Sequence, residues 1–552
     1  MKNNFNYIAL FLCLIANTVF SQTFQWAKSM GGTGNDGASH LDIDPNGYIY
    51  AGISCMYPTA YLGTDTFTIS GFNDIFLAKY DNNGNKIWIK QYGGPNWNMT
   101  NIKQDIFREI VYDNFSNTIV STGTFVESAN FGCSSLSSTH EDRQIFLFKT
   151  DLNGNCLWSK QAGGFSDDYG YGLTTDAAGN IYLAASVRDS AYFDTVHVAR
   201  GGILAKYDSN GNCLWVKNTF SYTNTNGYWG SSVHVGSMKI FNNELYLVGR
   251  NIDDTLTIDT ASLQFNNEYG NILAKFDLSG NIIWYKYFAG PTSFILPSLS
   301  MDNFGACYIT GGFYTMALFD NDTIYSPGTK DMFFAKFDSN GNRIWLNQIS
   351  ATQDANGSAL YSDGDGNNYL TGALSGSANF GTFNITSNTN LDMFMARYNS
   401  NGDCLGVRHC SNSAGGSIVS DGSGNAIVSG GFTTTTNFGS INLLSYGNYD
   451  AFIAKHDVIT GIGDEGRIAN NQLIIYANPN AGKCNIAVPD DFLHEKNLTL
   501  NIYDNTGKLI QQKNLEMNEG KIKLNLEAEA KGIYNVTLSN RSKSYNGKII
   551  FE

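Results

Sequence analysis

Four aspartates keep one place in a recurring pattern. Asp36, Asp105 and Asp168 each stand eight residues before the aspartate that opens a repeated turn (Asp44, Asp113, Asp176), and Asp354 stands nine before Asp363. Carboxylates held at one level can converge on a hard cation such as Ca2+ or accept hydrogen bonds from sugar hydroxyls. The same side chains can instead bond the backbone of their own loops, and register alone leaves both roles open. Five aromatics form a second group. Trp97, Tyr169, Tyr222, Tyr228 and Trp229 fall in long polar stretches (93–104, 163–172, 218–230). There their rings would stack on sugars, anchor a protein partner or simply pack the loops.

Other chemistry is sparse. No His-Glu-x-x-His, Gly-x-x-x-x-Gly-Lys or Gly-x-Ser-x-Gly motif stands out, so no catalytic residue is assigned. The seven histidines share no metal-ligand spacing, and His456 replaces a recurring aromatic, a structural role. "DGDGNN" (363–368) resembles the start of a calcium loop but lacks the distant bidentate Glu. It coincides with the ordinary repeated turn, in which Asp and Asn bond local N–H groups and Gly takes a positive φ. No resident cofactor is expected, with Ca2+ as the one alternative.

Two signatures alternate along the chain and must position these residues. One ends in a Lys-aromatic-Asp and a Gly-Asn turn, as in "DIFLAKYDNNGNKIW" (74–88) and "DMFFAKFDSNGNRIW" (331–345). The other reads like "DPNGYIYAG" (44–52) and "DNFGACYITG" (302–311). Each occurs seven times and reads as a hairpin, so a unit of about 60 residues holds four strands. Adjacent apolar residues, as in "IFLA", predict strands covered on both faces. Seven such sheets set radially make a seven-bladed β-propeller. The seventh unit stops at "DAFIAKHD" (450–457), while "TFQWAKSM" (23–30) is a fourth strand lacking a third, with Trp26 in phase with the other repeat tryptophans. The N-terminal strand is therefore predicted to close the last blade. The alternation is similar to the beta-propeller repeat of secreted bacterial proteins over residues 23–457. Gly406 in place of Trp, Ala185 in place of Gly and "FNNE" (241–244) without its turn Gly depart from it.

The chain divides into a signal peptide at 1–21, the propeller at 22–457, a polar linker at 458–472 and a terminal domain at 473–552. Lys2 followed by the short apolar run 7–16 has the form of a secretory leader, too short to span a bilayer. Of the net charge of −14, residues 1–462 hold 24 Lys+Arg against 38 Asp+Glu, while 463–552 hold 11 of each. An acidic body argues against nucleic acid, whose phosphates need basic side chains. Cys156, Cys213 and Cys404 occupy one repeat position, so buried free thiols are expected, with Cys404–Cys410 as a conceivable bridge.

The terminal segment alternates short strands with Asn, Gly and Pro turns, a small β-sandwich. Tyr476, Asn478, Pro479, Asn480 and Gly482, with "IYDNTGK" (502–508), "GIY" (532–534) and the final "KIIFE", resemble the C-terminal (type A) sorting domain of the Bacteroidetes type IX secretion system. Ala477 and Cys484 depart from that pattern. The resemblance implies the type IX machinery as partner and a secreted or outer-cell-surface location. The expected function is non-enzymatic: a monomeric propeller whose loop-rich face binds an extracellular glycan or protein. The alternative is a polysaccharide-acting enzyme using channel carboxylates.

Overall fold

A computed structural model describes residues 24–95, 104–138, 142–222, 234–251, 255–258, 261–264, 269–290, 297–387, 389, 391–459, 461–464, 473, 475–476, 482–488, 492, 497–504, 508–515, 521–540 and 544–551. The expected leader lies outside them. Among the described residues the regular structure is β throughout, and no helix is long and apolar enough to cross a membrane. The chain separates into two compact units, Met1–Gly466 and Arg467–Glu552.

Strand pairing in the first body repeats a four-strand antiparallel unit seven times among the described residues. Unit 1 comprises Gly37–Ile43, Ile49–Met56, Asn73–Tyr80 and Lys86–Tyr92. Unit 2 comprises Ile106–Asp113, Thr118–Val126, Arg143–Thr150 and Cys156–Gly164. In units 3 to 6 the first strands are Tyr169–Thr175, His234–Phe241, Ser298–Met301 and Asp354–Ser362. Unit 7 consists of Ser413–Ser420, Ala426–Phe432 and Asp450–His456, and its fourth strand is Phe24–Gly32 from the other end of the body. Trp26 pairs with Lys455 and Met30 with Ala451. Third strands such as Asn73–Tyr80 and Asp450–His456 are buried at every position, as strands covered on both faces must be.

Neighbouring units are latched at their short turns. Trp88 donates Nε1–H to the Leu152 carbonyl of the next unit (3.0 Å), and Lys79 Nζ reaches the same oxygen (3.3 Å). Trp158 with Lys149 on Ser209, Trp284 with Lys275 on Ser339, and Trp345 with Lys336 on Ser400 repeat the device. Trp26 and Lys455 apply it to Asn82, joining unit 7 to unit 1 at 3.2 and 3.4 Å. The turn glycine lies flat on the indole. Gly84 has φ +76°, and a Cβ there would come within 2.5 Å of Trp26, so both conformation and contact demand glycine. Beneath the turn Lys149 also pairs with Asp113 at 2.9 Å, both side chains being fully buried.

Two of the sequence departures acquire physical reasons. Unit 7 makes no turn after His456, so a Trp at 406 would have nothing to hold. Gly406 instead pairs with Gly461, where the outgoing strand Gly461–Asp464 runs parallel to Gly406–His409. Asn242 and Asn243, both at positive φ (48° and 60°), make the unit-4 turn without glycine.

The sequence reading missed one element per unit, a hairpin or strand extension after the second strand. Thr59–Leu62 with Asp65–Thr68, for example, pairs through Leu62 with Met30 of unit 7. The unit-2 counterpart, Ser128–Asn130 with Ser135–Ser137, carries Cys133, which forms a disulfide with Cys156. The expectation of free thiols fails there because Cys133 lies in the unread hairpin. Cys404 and Cys410 are not bonded to each other: six residues along one strand separate them by about 20 Å.

In the second body a three-stranded sheet (Ile475–Tyr476, Lys483–Ala487, Lys521–Asn525) and a four-stranded one share an apolar core. That core includes Ile486, Leu500, Val536 and Ile549. Strand Leu498–Tyr503 alternates buried and half-buried residues, the signature of a sheet covered on one face only.

Candidate functional site

First strands of all seven units line one cavity of about 320 Å³. In six of them the pairing with the second strand slips by a residue or two, for example between Ala38 and His40, Phe107 and Glu109, Gly170 and Gly172, and Gly357 and Ala359. A bulge leaves an unpaired residue and re-aims its side chain. In units 2, 3 and 6 the skipped residues are Arg108, Tyr171 and Ser358, and all three line the cavity.

The lining is asymmetric. Units 5 to 7 present Ser298, Ser300, Asn356, Ser358 and Ser417. Several of these tie adjacent first strands together: Ser300 Oγ accepts Ser362 N–H at 2.8 Å and Ser417 Oγ accepts Leu41 N–H at 3.1 Å. Units 1, 2 and 4 present charge, and unit 3 presents Tyr171. His40 Nδ1 lies 3.2 Å from Glu109 Oε1, and Asp42 and Lys239 face the same space. Asp42 occupies the register of Ser300 and does the same work, accepting Tyr112 N–H (2.6 Å) and Ile43 N–H (2.9 Å). Burial raises its pKa, with nearby Lys239 opposing.

At the loop-bearing end of the cavity an arginine–tyrosine–histidine cluster spans units 2 to 4. Arg108 lies over the Tyr171 ring at 5.5 Å, and Tyr171 stacks on Tyr169 at 5.8 Å. Arg143 and Arg188 lie over Tyr169 at 5.6 and 5.5 Å. Tyr171 Oη meets His234 Nδ1 at 2.6 Å, and His234 pairs across the ladder with Arg250. Burial, then Arg250, Arg108 and Arg188, push the His234 pKa down to about 4, so the imidazole is neutral at pH 7. These residues come from six strands spread over positions 108 to 250, and no local motif announces them; the bulge register and the shared field of His234 bring them together.

The aspartate series stands where the first strands begin. Asp36 accepts N–H groups from Gly32 (2.5 Å) and Met56 (2.7 Å), and Asp168 from Gly164 (2.8 Å) and Arg188 (3.1 Å). Asp105 accepts Val126 N–H at 2.9 Å. Asp354 opens its strand beside Lys330 of unit 5. Asp36, Asp105 and Asp168 thereby tie the start of a first strand to the preceding strand or to the end of the second strand. Burial raises the Asp36 pKa to about 6 and that of Asp168 to about 8, and holds the Asp105 carboxyl far above its ordinary range. Among the described residues no group of three or more His, Cys, Asp or Glu is placed to hold a metal ion. The turn at 363–368 bonds internally, Asp363 Oδ1 accepting Asp365 and Asn367 N–H.

Of the aromatic candidates, Tyr169 is half-buried with its faces occupied by Tyr171 and the guanidiniums. Tyr222 ends the strand Cys213–Tyr222, its side chain outside the described part. Trp97, Tyr228 and Trp229 lie outside the described residues, as do Asn478, Pro479 and Asn480. Tyr476 ends a short strand, and Gly482 takes φ +94° at the start of the next.

A family profile described as the secretion system C-terminal sorting domain matches residues 474–552, and one described as a beta-propeller repeat matches residues 157–186. No curated protein matches the chain. Among solved structures it is similar to the phage phi92 endosialidase (12% identity, 96% of this chain and 87% of that one, TM-score 0.37). It is also similar to a DUF4221 family member from Bacteroides vulgatus (11%, 64% and 88%, TM-score 0.28). A third is a glycoside hydrolase family 32 structure from Bifidobacterium adolescentis (9%, 96% and 95%, TM-score 0.24). The chain thus carries a type IX secretion C-terminal sorting domain behind an all-β body with a propeller repeat, and is exported to the cell surface or the extracellular space.

Proposed function

We propose that the seven units are the blades of a seven-bladed β-propeller that acts as a non-enzymatic extracellular binding protein. Its ligand, a glycan or another protein, docks on the loop-bearing face and reaches into the central cavity. The observation that carries this reading is the bulge ring: bulged first strands aim side chains into one cavity and place a guanidinium–tyrosine cluster at its mouth. Asp36 and Asp168 are buried, and each is held by two backbone N–H groups, which keeps both out of reach of a substrate. Binding of the purified body to a glycan array, run beside activity assays on the same glycans, tests the reading. Turnover of a bound glycan would refute it.

One observation favours the alternative, a polysaccharide-acting enzyme. Glu109 beside His40, with Asp42 facing the same cavity, is the kind of acid–base grouping that hydrolysis requires. Under that reading Glu109→Gln abolishes turnover while leaving binding intact. The route of export follows from the sorting domain, whose partner is the secretion machinery.

A further inference from the structure

We infer that the Arg108–Tyr171–His234–Arg250 cluster is a carboxylate-binding subsite, and that the ligand it takes is an acidic sugar bearing a uronate-type group. The inference rests on the binding-protein reading above and names the class of ligand for that site.

The first argument is charge placement. The chain contains ten arginines, and four of them (Arg108, Arg143, Arg188, Arg250) gather at this one mouth in a protein of net charge −14. A surface that is acidic elsewhere gains nothing in solubility from concentrating its guanidiniums. Asp167 answers part of the charge, at 3.1 Å from Arg143 and 3.8 Å from Arg188. Arg108, on the bulge, lines the cavity itself, so a ligand carboxylate there meets a guanidinium rather than a hydroxyl.

The second argument is preorganisation. Cation–π contacts with Tyr171 and Tyr169 fix the planes of Arg108, Arg143 and Arg188. A fixed guanidinium plane presents its N–H fork to a planar carboxylate without further loss of freedom. The neutral His234, hydrogen-bonded to Tyr171 Oη, holds that phenol in place. Because guanidiniums and tyrosines occupy the ring faces, recognition here is by charge rather than by stacking.

The third argument selects a sugar over an acidic peptide. The wall opposite the cluster is built of Ser298, Asn356, Ser358 and Ser417, a hydroxyl- and amide-rich surface suited to sugar hydroxyls. A cavity of about 320 Å³ admits a ligand the size of a mono- or disaccharide, entering end-on.

The full mature chain, its Arg108→Gln and Arg250→Gln variants and Arg108→Lys would be applied to an array of uronate-bearing, sulfated and neutral glycans, with poly-glutamate alongside. Hits would then be titrated calorimetrically against their methyl esters. Expected are uronate hits that weaken at least tenfold on esterification and on either Arg→Gln change. Arg108→Lys should recover only part, since it restores charge without the fork. Hits confined to neutral glycans, indifferent to both Arg→Gln changes, overturn the inference and leave the binding-protein reading standing. A preference for sulfated glycans overturns the carboxylate assignment, and tighter binding of poly-glutamate overturns the sugar assignment. Silence on every probe overturns both the inference and the reading beneath it.

Discussion

Deleting residues 23–32 removes the fourth strand of unit 7 and with it the contact that joins the last unit to the first. Three losses add. Asp450–His456 is hydrogen-bonded on one side to Ala426–Phe432 and on the other to Phe24–Gly32, so deletion frees one whole edge of a fully buried strand. The hairpin Thr59–Leu62 loses its partners Met30, Gly31 and Gly32. Trp26, almost fully buried on Gly84 and bonded to Asn82, disappears from the turn of unit 1. The indole alone is worth about 3–5 kcal/mol when truncated to alanine. An unfolding entropy of about 2 cal/mol/K per residue, over 24–464, comes to ~0.9 kcal/mol/K. Trp26→Ala should therefore lower Tm by about 3–6 °C, and the deletion by clearly more. Hydrogen exchange reads the same event locally: amides of Asp450–His456 that face the missing strand should lose protection, while the unit-4 strand Glu244–Asn251 keeps its own. A synthetic peptide of residues 23–32 should restore both signals by refilling the groove. An unchanged melt together with unchanged protection of Asp450–His456 would refute the closure.

Lys149→Met strands Asp113 without its buried cation at 2.9 Å and should destabilise by about 3–5 kcal/mol in urea unfolding, far more than Lys206→Met, whose partner Asp176 is 3.7 Å away. Asp168, with its pKa raised by burial to about 8, stabilises the fold fully below its unfolded value and loses that contribution as pH rises through 8. Tm should thus fall between pH 5 and pH 9, and Asp168→Asn should flatten that fall, whereas a parallel pH profile would refute the buried neutral acid. Chelator should leave Tm unchanged, because Asp36 and Asp168 already spend both oxygens on N–H groups. Removing 473–552 should leave a folded body trapped in the periplasm, checked by fractionation; wild-type levels outside the cell would refute the export role.

The legible part of this fold is what the backbone repeats. The turn aspartates and glycines recur because each turn needs an Asx bond and a positive φ, and Trp26 stood out because a latch residue had no strand beside it. The extra hairpins were present in the sequence too, as in "ANFGTFNIT" (378–386) and "TNFGSINLL" (436–444), but their strands of four residues sit between stronger signals. The candidate site was illegible for a different reason. Arg108 and Tyr171 reach the cavity only because a bulge skips them, and a one-residue slip depends on the pairing of two strands, not on either alone. Asp42 shows the converse: a carboxylate in the channel that ties one strand to the next, as Ser300 does elsewhere.

The outgoing strand Gly461–Asp464 has a mechanical consequence. Phe24 pairs with His456 in antiparallel sense, so tension applied to both ends would peel that sheet one pair at a time, a low-force route. Tension arriving from the tail meets something else first. The four pairs between Gly461–Asp464 and Gly406–His409 run parallel and take the pull lengthwise, so they must rupture together rather than in sequence. The clip works as a strain relief: a tail under traction loads unit 6 in shear before any load reaches the seam of unit 7.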